Sequence, residues 1–147
     1  MKLFQCAIAS ICTALLLASQ GANAQDNSSE NFALTALKVE KAHVIQGIYY
    51  LTQILPRQCH DENIDKLAAE FAKNNRELIE RIDVSPLLPM VRDSLEKANS
   101  TPKTPAQIAS ECAQTFAVLK SFDSEKGRQN AGRMLQTMKK EIIVKNE

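Results

Sequence analysis

Few residues of this chain could do chemistry near neutral pH. His43 and His60 are its only histidines, and histidine is the side chain whose ordinary pKa lies closest to neutrality. A serine or cysteine nucleophile would need such a base beside it. The sequence contains no Gly-x-Ser-x-Gly elbow, no His-Glu-x-x-His pair and no Walker loop. We therefore expect that the protein is not an enzyme, and a small hydrolase is the least favoured alternative.

Four residue types that bind metals stand in a row at Cys59, His60, Asp61 and Glu62. Consecutive side chains point in different directions, whereas zinc needs about four ligands that converge. The sequence also lacks the Cys-x-x-Cys-His pattern of a c-type haem site. We expect no metal and no cofactor. The alternative is an envelope protein that binds a small ligand or a metal under stress, with His43, Cys59 and His60 as candidate ligands.

The N-terminus has the order of a secretory signal peptide. A positive start at Lys2 precedes a short apolar stretch and an Ala-Asn-Ala site that ends at Ala24. We expect residues 1–24 to be removed, leaving residues 25–147 as a single domain in the periplasm or outside the cell. The apolar stretch is on the short side for a membrane span of roughly 20 residues. We therefore expect no stable membrane insertion after cleavage.

Cleavage would leave two of the four cysteines. Cys6 and Cys12 lie in the predicted signal peptide, and Cys59 and Cys112 lie in the mature chain. An oxidising compartment favours a disulfide between the remaining two. Cys59 and Cys112 would close a loop of a little over fifty residues. Closing such a loop should add about 4 kcal/mol to the free energy of unfolding. A redox pair is less favoured, because the sequence has no Cys-x-x-Cys motif.

Apolar residues recur at helical spacing along most of the mature chain. A first helix is predicted from Asn31 to Leu55, ended by Pro56, and a second from the cap at Asp61 to Ile82. Three more helices are predicted, starting at Ser85, at Thr104 and at the pair Asp123-Ser124. No alternating apolar pattern with hairpin turns accompanies them. The sequence therefore predicts an all-α fold, a small bundle of about five helices pinned by one disulfide.

Charge and aromatic residues suggest where a partner could bind. Residues 120–147 contain seven basic and four acidic side chains, an excess too small for typical nucleic-acid binding. It favours an acidic protein or an anionic lipid surface instead. Tyrosine is enriched at interfaces, and Leu87 and Met90 give the third predicted helix a second apolar side. The predicted contact residues are Tyr49, Tyr50, Arg128, Arg133, Lys139 and Lys140.

These features together favour a secreted or periplasmic protein that works by contact. We expect a non-enzymatic protein-binding module that serves as an inhibitor, immunity or accessory protein of a bacterial envelope or secretion system. Its partner would be another envelope or secreted protein, not a nucleic acid, and a homodimer is left open. In general outline the chain is similar to small helical periplasmic immunity proteins of type VI secretion, which also carry a signal peptide and a disulfide. No family motif is matched residue by residue.

Overall fold

A computed structural model describes residues 28–141, with side chains from Asn31 onward. The predicted signal peptide and its cleavage site lie outside these residues. The chain divides into two compact units after Phe32. The second unit contains the helical bundle, and the described part of the first unit is only the opening turn of α1.

Residues 28–141 form helices and connecting turns, and no strand occurs among them. This confirms the predicted all-α fold with one disulfide. None of the described helices is both long enough and apolar enough to cross a membrane. The elements are α1 (Ser28–Tyr49), a π-helical segment (Tyr50–Ile54), α2 (Leu55–Cys59), α3 (Glu62–Asn74), α4 (Arg76–Asp83), α5 (Leu88–Asn99), α6 (Pro105–Ser121) and α7 (Glu125–Lys139).

Pro56 does not end the first helix, so the prediction at this position is wrong. The chain passes from α1 into the π-helical segment, where the Leu55 N–H donates to the Tyr50 carbonyl. Pro56 then occupies the first turn of α2. Proline has no N–H to donate, so the helical path continues through this position without one backbone hydrogen bond. The helical path ends at His60, which adopts a left-handed conformation with φ of 48°.

The second predicted helix is broken into α3 and α4. Asn75 leaves the helical conformation, with φ of −120° and ψ of 37°. Its side-chain amide donates to the Phe71 carbonyl over 2.9 Å. Asparagine side chains compete with the helical backbone for such groups, which favours a break. The amphipathic pattern continues across the break because Leu78 and Ile82 are buried together with Phe71.

Three predicted helix caps are confirmed, and one helix starts later than predicted. Asp61 accepts from the Asn63 N–H, Thr104 forms a capping box with Gln107, and Ser124 accepts from the Gly127 N–H. The third predicted helix begins at Leu88 instead of directly after Ser85. The Ser85 hydroxyl accepts from the Leu87 N–H over 3.3 Å within the preceding turn.

The core joins all the longer helices around aliphatic and aromatic side chains. The rings of Phe71 and Phe122 pack edge to face, with their centroids 4.6 Å apart, where the end of α3 meets the end of α6. On α6 the core position belongs to Thr115, which is 3% exposed, and Phe116 is 37% exposed. The buried residues of the main cluster are Ile45, Ile48, Ile64, Ala68, Phe71, Leu78, Ile82, Val91, Leu95, Leu119 and Met138.

Candidate functional site

The predicted disulfide is present. Cys59 at the end of α2 and Cys112 in α6 are bonded, with their Cα atoms 5.6 Å apart. Cys59 therefore has no free thiolate to offer a metal, and the predicted alternative retains only His43 and His60, which are both exposed. Within the described residues, no three His, Cys, Asp or Glu side chains are grouped so that they could hold a metal ion.

The two tyrosines predicted as contacts are half-buried and hydrogen-bonded within the molecule. The Tyr49 hydroxyl donates to Glu96 Oε1 over 3.3 Å, and the Tyr50 hydroxyl donates to Glu111 Oε2 over 3.4 Å. Burial, the negative charge of Glu111 and this hydrogen bond together raise the pKa of Tyr50 to about 12. Their role in binding a partner stays a prediction, and both hydroxyls form hydrogen bonds to other helices of the bundle.

Glu111 belongs to a polar cluster beside the disulfide. Lys103 Nζ lies 2.7 Å from Glu111 Oε2 and donates to Asn99 Oδ1 over 2.9 Å. The Gln58 side-chain amide donates to the same Asn99 oxygen over 3.3 Å. These contacts link the ends of α2 and α5 to α6. The cluster therefore holds together the same region that the disulfide cross-links.

The C-terminal end of α7 is tied to the rest of the bundle. Lys139 pairs with Glu77 of α4 at 2.7 Å, and Lys140 lies 3.5 Å from Glu40 of α1. The buried Lys41 donates to the carbonyls of Met138, at 3.1 Å, and Lys140. Burial lowers the pKa of Lys41, and the positive charge of Arg81 lowers it further. The last carbonyls of a helix have no N–H donor within the helix. Lys41 of α1 therefore caps the C-terminal end of α7.

The part of α7 from Lys126 to Arg133 has cations without such partners among the described residues. Lys126, Arg128 and Arg133 are exposed, and none of them forms an ion pair within residues 31–141. Arg128 donates to the Asp123 carbonyl and Arg133 to Asn130 Oδ1, so both have only uncharged acceptors. An open depression lies along this part of the helix. Its lining residues are Glu125, Lys126, Gln129 and Arg133.

An apolar surface lies at the turn between α4 and α5. Val84 is 78% exposed and Met90 is 59% exposed. Leu87 is partly buried and packs against the core. Of the two apolar residues noted in the sequence, Leu87 and Met90, only Met90 is therefore exposed to a partner. No spacing in the sequence indicates Val84, because its position after the last turn of α4 gives no periodic signal for exposure. We call residues 84–90 the α4–α5 corner.

Comparisons of the chain with protein-family models, with curated proteins and with solved structures gave no match. A function therefore has to be inferred from the surfaces themselves. Two surfaces of the described residues stand out. These are the α4–α5 corner, with its exposed apolar side chains, and the part of α7 from Lys126 to Arg133, whose cations have no ion pair within residues 31–141.

Proposed function

We propose that this protein is an exported, non-enzymatic protein-binding module that works by contact as an inhibitor, immunity or accessory protein of a bacterial envelope system. The observation that carries the proposal is the exposure of Val84 and Met90 at the α4–α5 corner. Single exposed apolar residues are common on protein surfaces, whereas grouped ones mark interaction sites. Here two large apolar side chains are exposed within seven residues of the chain, Val84 directly after α4 and Met90 in the first turn of α5.

The corner has the features of a preorganised contact. No charged residue occurs from Val84 to Met90, and Pro86 and Pro89 lie within this stretch. Proline fixes its own backbone φ, so the turn has little conformational freedom to lose on binding. Groups that are already ordered bind at a smaller entropic cost. The corner could therefore place Val84 and Met90 in an apolar depression of another protein.

The charges around the corner favour a protein over a lipid surface. Arg81 and Asp83 precede it, and Arg92 and Asp93 follow it, so positive and negative charges balance. Anionic lipids attract clusters of basic residues, and the corner has no such excess. The ligand-binding alternative has lost one of its three candidate ligands, since Cys59 is in the disulfide.

Site-specific photo-crosslinking in living cells tests the proposal. The full chain is expressed with a photo-reactive amino acid at Met90, and at Lys97 as a matched position, since Lys97 is also an exposed residue of α5. We expect a discrete protein adduct in the envelope fraction from position 90 and none from position 97. No adduct from either position, or the same adducts from both, would contradict the proposal.

A further inference from the structure

We propose that a stripe of four residues on α7 binds an acidic segment of a partner protein through its carboxylates. This α7 stripe consists of Lys126, Gln129, Arg133 and Gln136. The inference rests on the proposed function and adds the chemical class of the partner. It uses a surface different from the α4–α5 corner, so the two can fail separately.

The four residues lie on one side of the helix. Their spacings of three, four and three residues place them in a single row, and all four are exposed. Lys126 and Arg133 are two turns apart, which corresponds to roughly 10 Å along the axis. The amides of Gln129 and Gln136 alternate with the two cations. Each amide can donate to a carboxylate, so the row presents only side chains that can donate to an acidic ligand.

The cations of the stripe are not neutralised by the fold. Arg133 donates only to the neutral Asn130 side chain, and neither cation has an ion pair within residues 31–141. The nearest acidic member of the same depression is Glu125, whose Oε1 accepts from Gln129 over 3.4 Å. One carboxylate beside two cations leaves a net positive surface, which is complementary to an acidic segment.

The same helix argues against a membrane as the partner. An interfacial helix must insert an apolar face between lipids. The apolar side of α7 already faces the core, since Ala131 and Met138 are buried and Met134 and Leu135 pack against the core cluster. Apart from Gly132, the exposed residues of α7 are all polar or charged.

Charge density argues against nucleic acid. Duplex DNA presents one negative charge for every ~1.7 Å of its axis. The stripe offers one cation for every two helical turns, so it would leave most phosphates beneath it without a partner. A helical protein segment with carboxylates two turns apart matches the cation spacing.

Binding of an oligoglutamate peptide tests this inference. The full chain is expressed and the isotope-labelled protein is purified from the periplasm. We expect saturable amide chemical-shift changes confined to α7 and its flanking turns, which weaken as salt is added. Oligoglutamine, which keeps the length but removes the charge, should cause none. Charge reversal by Lys126→Glu and Arg133→Glu together should weaken binding roughly tenfold.

The matched control reverses the charge of Lys66 and Lys73 on α3. This pair has the same seven-residue separation and is exposed, but Glu62 and Glu70 lie on the same part of the helix. Reversal of these two lysines should leave oligoglutamate binding unchanged. Equal weakening by both double variants would overturn the inference, because it would show dependence on net charge alone. Shift changes outside α7, or stronger binding to phosphatidylglycerol vesicles or duplex DNA, would also overturn it.

The photo-crosslinking result separates this inference from the proposed function. A protein adduct at Met90 without oligoglutamate binding to α7 would remove only the α7 stripe. Specific oligoglutamate binding without an adduct from Met90 would contradict the contact role of the α4–α5 corner and leave the stripe in place.

Discussion

The two ends of α7 have the same kind of side chain and differ in what those side chains contact. At the C-terminal end Lys139 pairs with Glu77, and Lys140 lies near Glu40. Nearer the N-terminal end, Lys126 in the first turn and Arg133 just past the middle have no carboxylate partner among residues 31–141. One helix therefore holds cations that the fold uses and cations that it leaves available.

This difference limits what charge counting can show. Arg128, Arg133, Lys139 and Lys140 were predicted as contacts because the end of the chain is basic. The sequence cannot show that α4 and α1 bring acidic residues to only one end of the helix. Arg128 and Arg133 therefore stay predicted contact residues, whereas Lys139 and Lys140 already lie against carboxylates of the fold.

The largest expected effect is loss of the Cys59–Cys112 disulfide, which joins the end of α2 to α6, the helix that precedes α7. Cys59→Ser together with Cys112→Ser should lower the free energy of unfolding by about 4 kcal/mol, because the unfolded chain regains the entropy of the open loop. Urea denaturation of the oxidised wild-type protein and of the double variant measures this loss. Wild-type protein treated with a reductant should show the same loss. A change below about 1 kcal/mol would mean that the disulfide does little for stability.

Two glycines of α7 provide a matched pair. A Cβ on Gly127 would lie 2.3 Å from the Ser121 carbonyl oxygen and 2.4 Å from the Phe122 Cα, whereas a Cβ on Gly132 would meet nothing within 4 Å. Gly127→Ala should therefore cost about 3 kcal/mol through a clash with backbone atoms. Gly132→Ala should stabilise the protein by about 0.5–1 kcal/mol through its better helix propensity. Equal effects in thermal unfolding would contradict this packing of α7 against the end of α6.

Lys41 tests the C-terminal end of α7. Lys41→Met keeps most of the apolar stem but leaves the carbonyls of Met138 and Lys140 without their donor. We expect the free energy of unfolding to fall by about 2 kcal/mol. Lys38→Met, one turn earlier on the same helix and exposed, should change it by less than about 0.5 kcal/mol. Similar losses in both variants would argue against the capping role.

Tyr50 tests the polar cluster by spectroscopy. Its pKa is raised from 10.0 to about 12 in the fold, so its stabilising contribution is complete below pH 10 and is lost as the pH rises toward 12. In a Tyr49→Phe variant, Tyr50 is the only tyrosine, and its phenolate absorbance should appear near the upper value. Glu111→Gln removes a negative charge and should lower the pKa. Titration near pH 10 before this second substitution would contradict the contact with Glu111.

The sequence predicted the architecture better than it predicted the surface. Helix caps and apolar spacing are local signals, so the caps at Asp61, Thr104 and Ser124 were predicted. Only Cys59 and Cys112 lie outside the predicted signal peptide, so one pairing was possible. The continuation past Pro56 was missed because it depends on a π-helical segment that no spacing indicates. The roles of Lys41, Glu77 and Val84 depend on which helices pack against each other. The spacing of residues within one helix does not indicate its neighbours.

The most direct test compares charge reversal at the two ends of α7. Lys139→Glu with Lys140→Glu would place like charges against Glu77 and Glu40, and should lower the free energy of unfolding by about 1 kcal/mol. Lys126→Glu with Arg133→Glu breaks no ion pair and should change it by less than about 0.5 kcal/mol. Urea denaturation under identical conditions measures both double variants. An equal or larger loss for the second would contradict the claim that the fold leaves these cations free for a partner.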